Sequence, residues 1–166
     1  MWNQTKALAA AIEALNLPSF HLIAHSQGGL LSRAFLMTSG NHNVQNFITL
    51  STPNLGQFGD TKYLKAFFPT YARDEIYKLF YTPDSQDHIS VAGYWRDPRV
   101  AEYELYLQTS EFLAPLNNET AQSQMLAWKQ NFLQIENMVN LGGMNDGVIM
   151  PWQSALWGYY DSDLGA

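Results

Sequence analysis

The run from Phe20 to Phe35 constrains the fold more than any other part of the chain. Phe20-His21-Leu22-Ile23-Ala24 is a short apolar stretch with a β-branched residue, which reads as a buried strand. It passes through His25-Ser26-Gln27-Gly28-Gly29 straight into Leu30, Leu31, Ala34 and Phe35, whose spacing is helical. Strand, tight turn and helix thus follow one another with no loop between them. Ala24-His25-Ser26-Gln27-Gly28 fits the pattern G-x-S-x-G, with Ala in its first place. That pattern sets a serine on a strained turn, and the small residues two before and two after it let the helix pass close to the strand. Ser26 is the candidate nucleophile, and a plain Ser-Gly helix cap is the alternative that these five residues leave open.

The flanking segments extend this unit into a sheet. Asn3 is placed to cap a first helix running to about Leu15, with Leu8, Ile12 and Leu15 on one face, and Leu17-Pro18 ends it. After the turn-rich residues 39–43, Phe47-Ile48-Thr49-Leu50 reads as a second buried strand, and a strand-helix-strand unit implies a parallel sheet. From Pro53 to about Glu136 the pattern changes to short amphipathic pieces, at 63–68, 76–80, 103–107 and 125–135. Met138-Val139-Asn140-Leu141 then returns to the sheet, and residues 142–147 form a glycine-bearing loop at its C-terminal end, the edge where α/β sheets carry their sites. The expected architecture is α/β, one domain over residues 1–166 with residues 53–136 as a helical cap or insertion.

A serine nucleophile needs a base, a carboxylate to orient that base, and backbone N–H donors for the oxyanion. The main-chain N–H of Gln27 follows the nucleophile at a helix start and supplies one donor, and the second is expected from a loop before residue 1. Asp146 is the best-placed carboxylate, since its loop follows the last strand on the same edge as Ser26; closing an Asn-Asp-Gly turn is its other reading. Asp60, Asp74, Asp84, Asp87 and Asp97 fall in the insertion and are weaker candidates. No histidine is placed as the base. His21, His25, His42 and His88 all precede Asp146, whereas a hydrolase of this kind carries its histidine after the acid.

Composition narrows the partners. A net charge of −6 with no Lys/Arg cluster argues against nucleic acid and against an acidic membrane surface. No apolar run approaches the roughly 18 residues needed to cross a bilayer. With no Cys there is no disulfide and no thiol nucleophile, and four scattered His residues show no ligand spacing, so neither a cofactor nor a metal is expected.

Several longer segments carry a more specific signal. These are His21-Leu22-Ile23 leading into His25-Ser26-Gln27-Gly28-Gly29-Leu30, then Ser51-Thr52-Pro53 with Gly56-Gln57-Phe58-Gly59-Asp60-Thr61, and Tyr94-Trp95-Arg96-Asp97-Pro98. Asp146-Gly147-Val148-Ile149, Pro151-Trp152-Gln153-Ser154 and Gly158-Tyr159-Tyr160-Asp161 complete the set. Over nearly the whole chain they resemble the palmitoyl-protein thioesterases, the type 2 lysosomal branch more than type 1.

The resemblance implies an α/β-hydrolase fold, hydrolysis of fatty-acyl thioesters of the palmitoyl-protein or acyl-coenzyme A kind, and a lysosomal location. It implies Ser26 as nucleophile, Asp146 as acid and Gln27 as oxyanion donor. Asn118-Glu119-Thr120 is a glycosylation sequon near a site that the family glycosylates, and Asn3-Gln4-Thr5 is a second sequon. Three features depart from the family pattern: the upstream oxyanion loop, the downstream histidine, and Arg96 where the family usually has His. The first two lead to the expectation of an incomplete hydrolase domain, inactive and poorly soluble on its own. Phe67, Phe68, Tyr94, Trp95 and Phe112 are candidates to line an acyl groove, with ordinary packing as the alternative for each. A non-catalytic lipid- or partner-binding protein and an oxygen-ester lipase are the rival functions.

Overall fold

A computed structural model of the chain describes residues 1–59, 61–70 and 73–160, without the side chains of Tyr63, Phe67 and Asp74. In chain order the elements are α1 (Trp2–Leu15), β1 (Phe20–His25), α2 (Gln27–Thr38), β2 (Val44–Leu50), α3 (Lys62–Phe67) and α4 (Tyr77–Phe80). They continue with α5 (Pro83–His88), α6 (Val100–Thr109), α7 (Leu113–Leu116), α8 (Met125–Phe132) and β3 (Asn137–Leu141). The strands lie side by side in the order β1-β2-β3, all parallel, as the strand-helix-strand reading requires. β2 starts at Val44, earlier than the apolar run 47–50, because Val44 is itself buried and pairs with Phe20 across a register irregularity at Phe20/His21.

Helices cover one face of this sheet. Leu8 and Ile12 of α1, Phe35 and Leu36 of α2 and Phe132 of α8 meet Leu22, Phe47 and Met138 from the three strands. α1 begins directly after Met1, so Asn3 is an exposed first-turn residue and not the cap. The helix ends at Leu15 with Asn16 as its cap, whose N–H donates to the Glu13 carbonyl at 3.0 Å and whose left-handed backbone (φ 46) turns the chain away; asparagine tolerates that conformation better than most residues. α8 packs on α2, where Asn131 Nδ2 donates to the Met37 carbonyl at 2.9 Å. α8, although it falls within residues 53–136, thus belongs to the helical layer of the sheet.

α2 also faces a second and larger core. Leu30 and Ala34 join Phe80, Trp95, Tyr106 and Leu113, with Trp95 wedged between Phe58 and Phe80 at ring separations of 5.4 and 5.5 Å. Arg33 is buried in this helix. Its guanidinium donates to Asn117 Oδ1 (2.7 Å) and the Asn54 carbonyl (3.3 Å) and lies over the Trp157 ring at 4.8 Å. Burial pulls its pKa down to about 9, against the opposing pull of Tyr106 and Glu119. One helix therefore anchors both the sheet and the residues between β2 and β3. The opposite face of the sheet shows Ile23, Val139 and Leu141, which are 63%, 43% and 52% exposed.

Candidate active site

β1 ends at His25 and α2 begins at Gln27, so the whole reversal of direction falls on Ser26. Its backbone has φ 53 and ψ −132, a sparsely populated conformation for a residue with a side chain. Ser26 N–H donates to the Leu50 carbonyl at 2.8 Å, tying the turn to β2, and its carbonyl accepts from Gly29 N–H at 3.0 Å. The hydroxyl makes no cap hydrogen bond, so the helix-cap role is not exercised and the oxygen is left for chemistry. Gln27, as first residue of the helix, has one of the N–H groups that the helix cannot satisfy. Its side chain turns away to Gln4, with Nε2 at 3.3 Å from Gln4 Oε1.

The close approach of helix and strand falls one residue later than the five-residue pattern assigns it. A Cβ on Gly28 would meet nothing within 4 Å. A Cβ on Gly29 would stand 2.0 Å from Thr52 Oγ1, and Thr52 is fully buried in the loop after β2. The inward position is thus Gly29, because the start of α2 turns that residue toward the end of β2.

Asp146 sits in the loop after β3, and Oδ1 accepts from Val148 N–H (2.9 Å) and Ile149 N–H (3.0 Å). The turn role is therefore real, and it also fixes the carboxylate. Partial burial raises its pKa, but the Ile149 and Val148 amides, the Ser51 hydroxyl and the His25 imidazole together outweigh it, holding the carboxyl below the usual carboxylate range. Asp146 is ionised at neutral pH and suited to orienting an imidazolium.

A cleft of about 150 Å³ joins the two regions: it is lined by Ser26 and Gln27, by Val148 and Ile149 next to Asp146, and by Gln57, Thr61, Leu64, Val91 and Tyr94. Beside it a second hollow of about 240 Å³ shares Gln27, Val91 and Tyr94 and adds Phe68 and Ile89. Of the proposed groove residues, Tyr94 and Phe68 line these hollows. Trp95 and Phe112 are buried core side chains, Phe112 tilted against the Trp2 ring at 4.8 Å between centroids, and Phe67 lies outside the described side chains. Sequence reasoning gave no role in the cleft to Gln57, Thr61, Leu64 or Val91. Gln57 and Thr61 left a signal, both lying in the segment Gly56-Gln57-Phe58-Gly59-Asp60-Thr61. Gly56 has φ 101, and a Cβ there would stand 2.7 Å from Arg96 Cβ, so only glycine carries the chain into the cleft wall at this point.

Among the described residues no imidazole is hydrogen-bonded to Ser26. His21 pairs with Asn46 on the open sheet face, and His88 with Asp84 in α5. Buried His42 bonds the Asn131 carbonyl through Nε2 and accepts Val44 N–H at Nδ1, with burial lowering its pKa against that bond. His25 is exposed beside Asp146 and acts on its charge.

The other carboxylates have separate tasks. Asp97 is buried and holds Arg99 through both oxygens, while Asp84 and Asp87 are exposed, and Asp60 and the Asp74 side chain fall outside the description. Arg96 points to a different place. It pairs with Glu119 at 2.7 Å under the rings of Tyr103 and Tyr159, so its departure from the family pattern does not touch the Ser26 cleft. Asn118 is exposed, at φ 57 after α7, while Asn3 lies inside α1 with its sequon Thr5 buried. Asp161, the end of the last family segment, lies outside the described residues.

Comparison with known proteins decides the family. The chain matches the family model for palmitoyl protein thioesterase over residues 1–165. It belongs to the palmitoyl protein thioesterase family. Its three-stranded parallel sheet with helices is accordingly part of an α/β-hydrolase fold. It is 45% identical to lysosomal thioesterase PPT2 of Bos taurus over 166 residues, 98% of this chain and 53% of that protein. Against the Homo sapiens protein of the same name the identity is 42%, covering 98% and 54%. Palmitoyl-protein thioesterase 3 of Dictyostelium discoideum is 34% identical over 146 residues, 88% of this chain and 48% of that protein. The chain spans about half the length of the curated relatives it matches.

Proposed function

We propose that the protein hydrolyses fatty-acyl thioesters, with Ser26 attacking the carbonyl, Gln27 N–H stabilising the oxyanion and Asp146 orienting the base. The cleft that sets Ser26 and Gln27 against the residues following Asp146 carries this reading. Attack forms an acyl ester on Ser26 Oγ and breaks the carbon–sulfur bond, and water then releases the fatty acid. A thiolate leaves readily without full protonation, so the base works hardest in taking the Ser26 proton and activating that water. No role as base is assigned to His21, His25, His42 or His88.

Within residues 1–166 we read one hydrolase domain in which 53–136 is inserted between two strands. Its earlier part, through Gln57, Thr61, Leu64, Val91 and Tyr94, walls the cleft, and α8 returns to the sheet. The names of the relatives point to a lysosomal location, and Asn118 is the proposed glycan site; Asn118→Gln should then lower the mass of the secretory-pathway protein by one glycan.

The test is labelling of the protein at its native length by a serine-directed fluorophosphonate, read beside kcat/KM on thioester and oxygen-ester substrates of one acyl chain. Labelling lost in Ser26→Ala and a preference for the thioester are expected. Absence of labelling would favour a non-catalytic lipid-binding protein, and a strong oxygen-ester preference would favour a lipase.

A further inference from the structure

The cleft contains a polar group that the proposed mechanism leaves unused. Gln57 is only 4% exposed, yet it lines the cleft with Ser26 and Gln27. Its main chain is fixed on both sides, N–H to the Tyr94 carbonyl at 2.9 Å and carbonyl to Arg96 N–H at 3.0 Å. Its side chain is fixed too, because Oε1 accepts from Met150 N–H at 3.0 Å. A backbone N–H can only donate, so the atom facing Met150 must be the oxygen, and the NH₂ end is the one presented to the cleft. Among the described residues that NH₂ has no hydrogen-bond partner. An oriented donor that is open to the cleft beside a nucleophile, with no partner in the protein, is available to an acceptor on a bound substrate.

The side of the cleft identifies the acceptor. Gln27 N–H, at the start of α2, marks where the oxyanion lies. Gln57 is bonded to Met150, four residues past Asp146, and so stands on the acid side. The base that Asp146 orients, and the sulfur it serves, belong on that same side.

We propose that Gln57 is a specificity-determining residue that donates from Nε2 to an amide carbonyl on the thiol half of the substrate. This rests on the hydrolytic reading above. The acceptor is shared by two thiols, the cysteamine end of a pantetheine and a cysteinyl residue of a peptide, each with an amide a few bonds from sulfur. A plain alkanethiol has none.

The experiment measures kcat/KM of the native-length protein on three thioesters of one fatty acid, those of N-acetylcysteamine, N-acetylcysteine amide and propanethiol. Wild type should favour the amide-bearing thiols over propanethiol. Gln57→Leu should cut that ratio about tenfold, the scale of one lost hydrogen bond. Gln57→Glu keeps the acceptor for Met150 N–H and guards against loss of fold. Its ionised carboxylate cannot donate, so the ratio falls, and it recovers as acid protonates the group. A ratio that falls for the cysteamine ester alone assigns the pantetheine source, and for the cysteine amide ester alone the peptide source. A ratio unchanged in both variants, with all three substrates falling together, would overturn the proposal. Failure of fluorophosphonate to label wild-type Ser26 would instead sink the hydrolytic reading itself.

Discussion

Gly28 and Gly29 stand side by side at the start of α2, and their alanine variants should behave differently. Gly29→Ala drives a methyl group against buried Thr52 and should cost about 1–3 kcal/mol, whereas Gly28→Ala meets open space and should stay within about 0.5 kcal/mol; denaturant melts of both check this. The sequence pattern named the serine and the need for small neighbours, but a one-dimensional motif does not say which glycine turns toward the loop after β2. Asp146 gives a second prediction. Its folded pKa is depressed, so its contribution to stability is present above the ordinary carboxylate pKa of about 4 and is lost as pH falls through the lower folded value. The melting-temperature advantage of wild type over Asp146→Asn should hold at neutral pH and shrink below pH of about 4. If Asp146 orients the base, the same variant should lower kcat on a thioester by about a thousandfold or more.

At the scale of elements, α2 is the joint on which both cores turn. Arg33→Lys keeps the charge but loses the planar fork that reaches Asn117 and Asn54 and the stacking on Trp157, so it should destabilise the fold by about 1–3 kcal/mol in a thermal or denaturant melt. The strands were legible because their apolar runs are short and bounded by turn residues. Val44 was missed because Gln45 and Asn46 interrupt the run, although Val44 faces the helices and pairs with Phe20. Asn3 misled because a capping residue type says nothing of where the first helical turn starts, and here Met1 already precedes it. Between β2 and β3 most helices are too short for periodicity to orient them. Which aromatics line the cleft and which pack inward was therefore decided by tertiary contacts that no spacing records.

At the level of the sheet, the described helices cover one face, and among the described residues Ile23, Val139 and Leu141 stand exposed on the other. Parallel sheets are ordinarily buried on both faces. Residues 1–166 expressed by themselves should bind a hydrophobic dye and self-associate, and a dye-silent monomer with a sharp cooperative melt would contradict that expectation. The strand ends of β1 and β3 bring Ser26 and Asp146 to one edge of the sheet, and residues between β2 and β3 wall the cleft beside Ser26. The role of Ser26 as nucleophile is tested by rapid quenching of the native-length protein with a fatty-acyl thioester, followed by peptide mass spectrometry. An acyl group is expected on the peptide containing Ser26, absent in Ser26→Ala. Turnover of the thioester with the acyl group on another residue, or undiminished in Ser26→Ala, would contradict it.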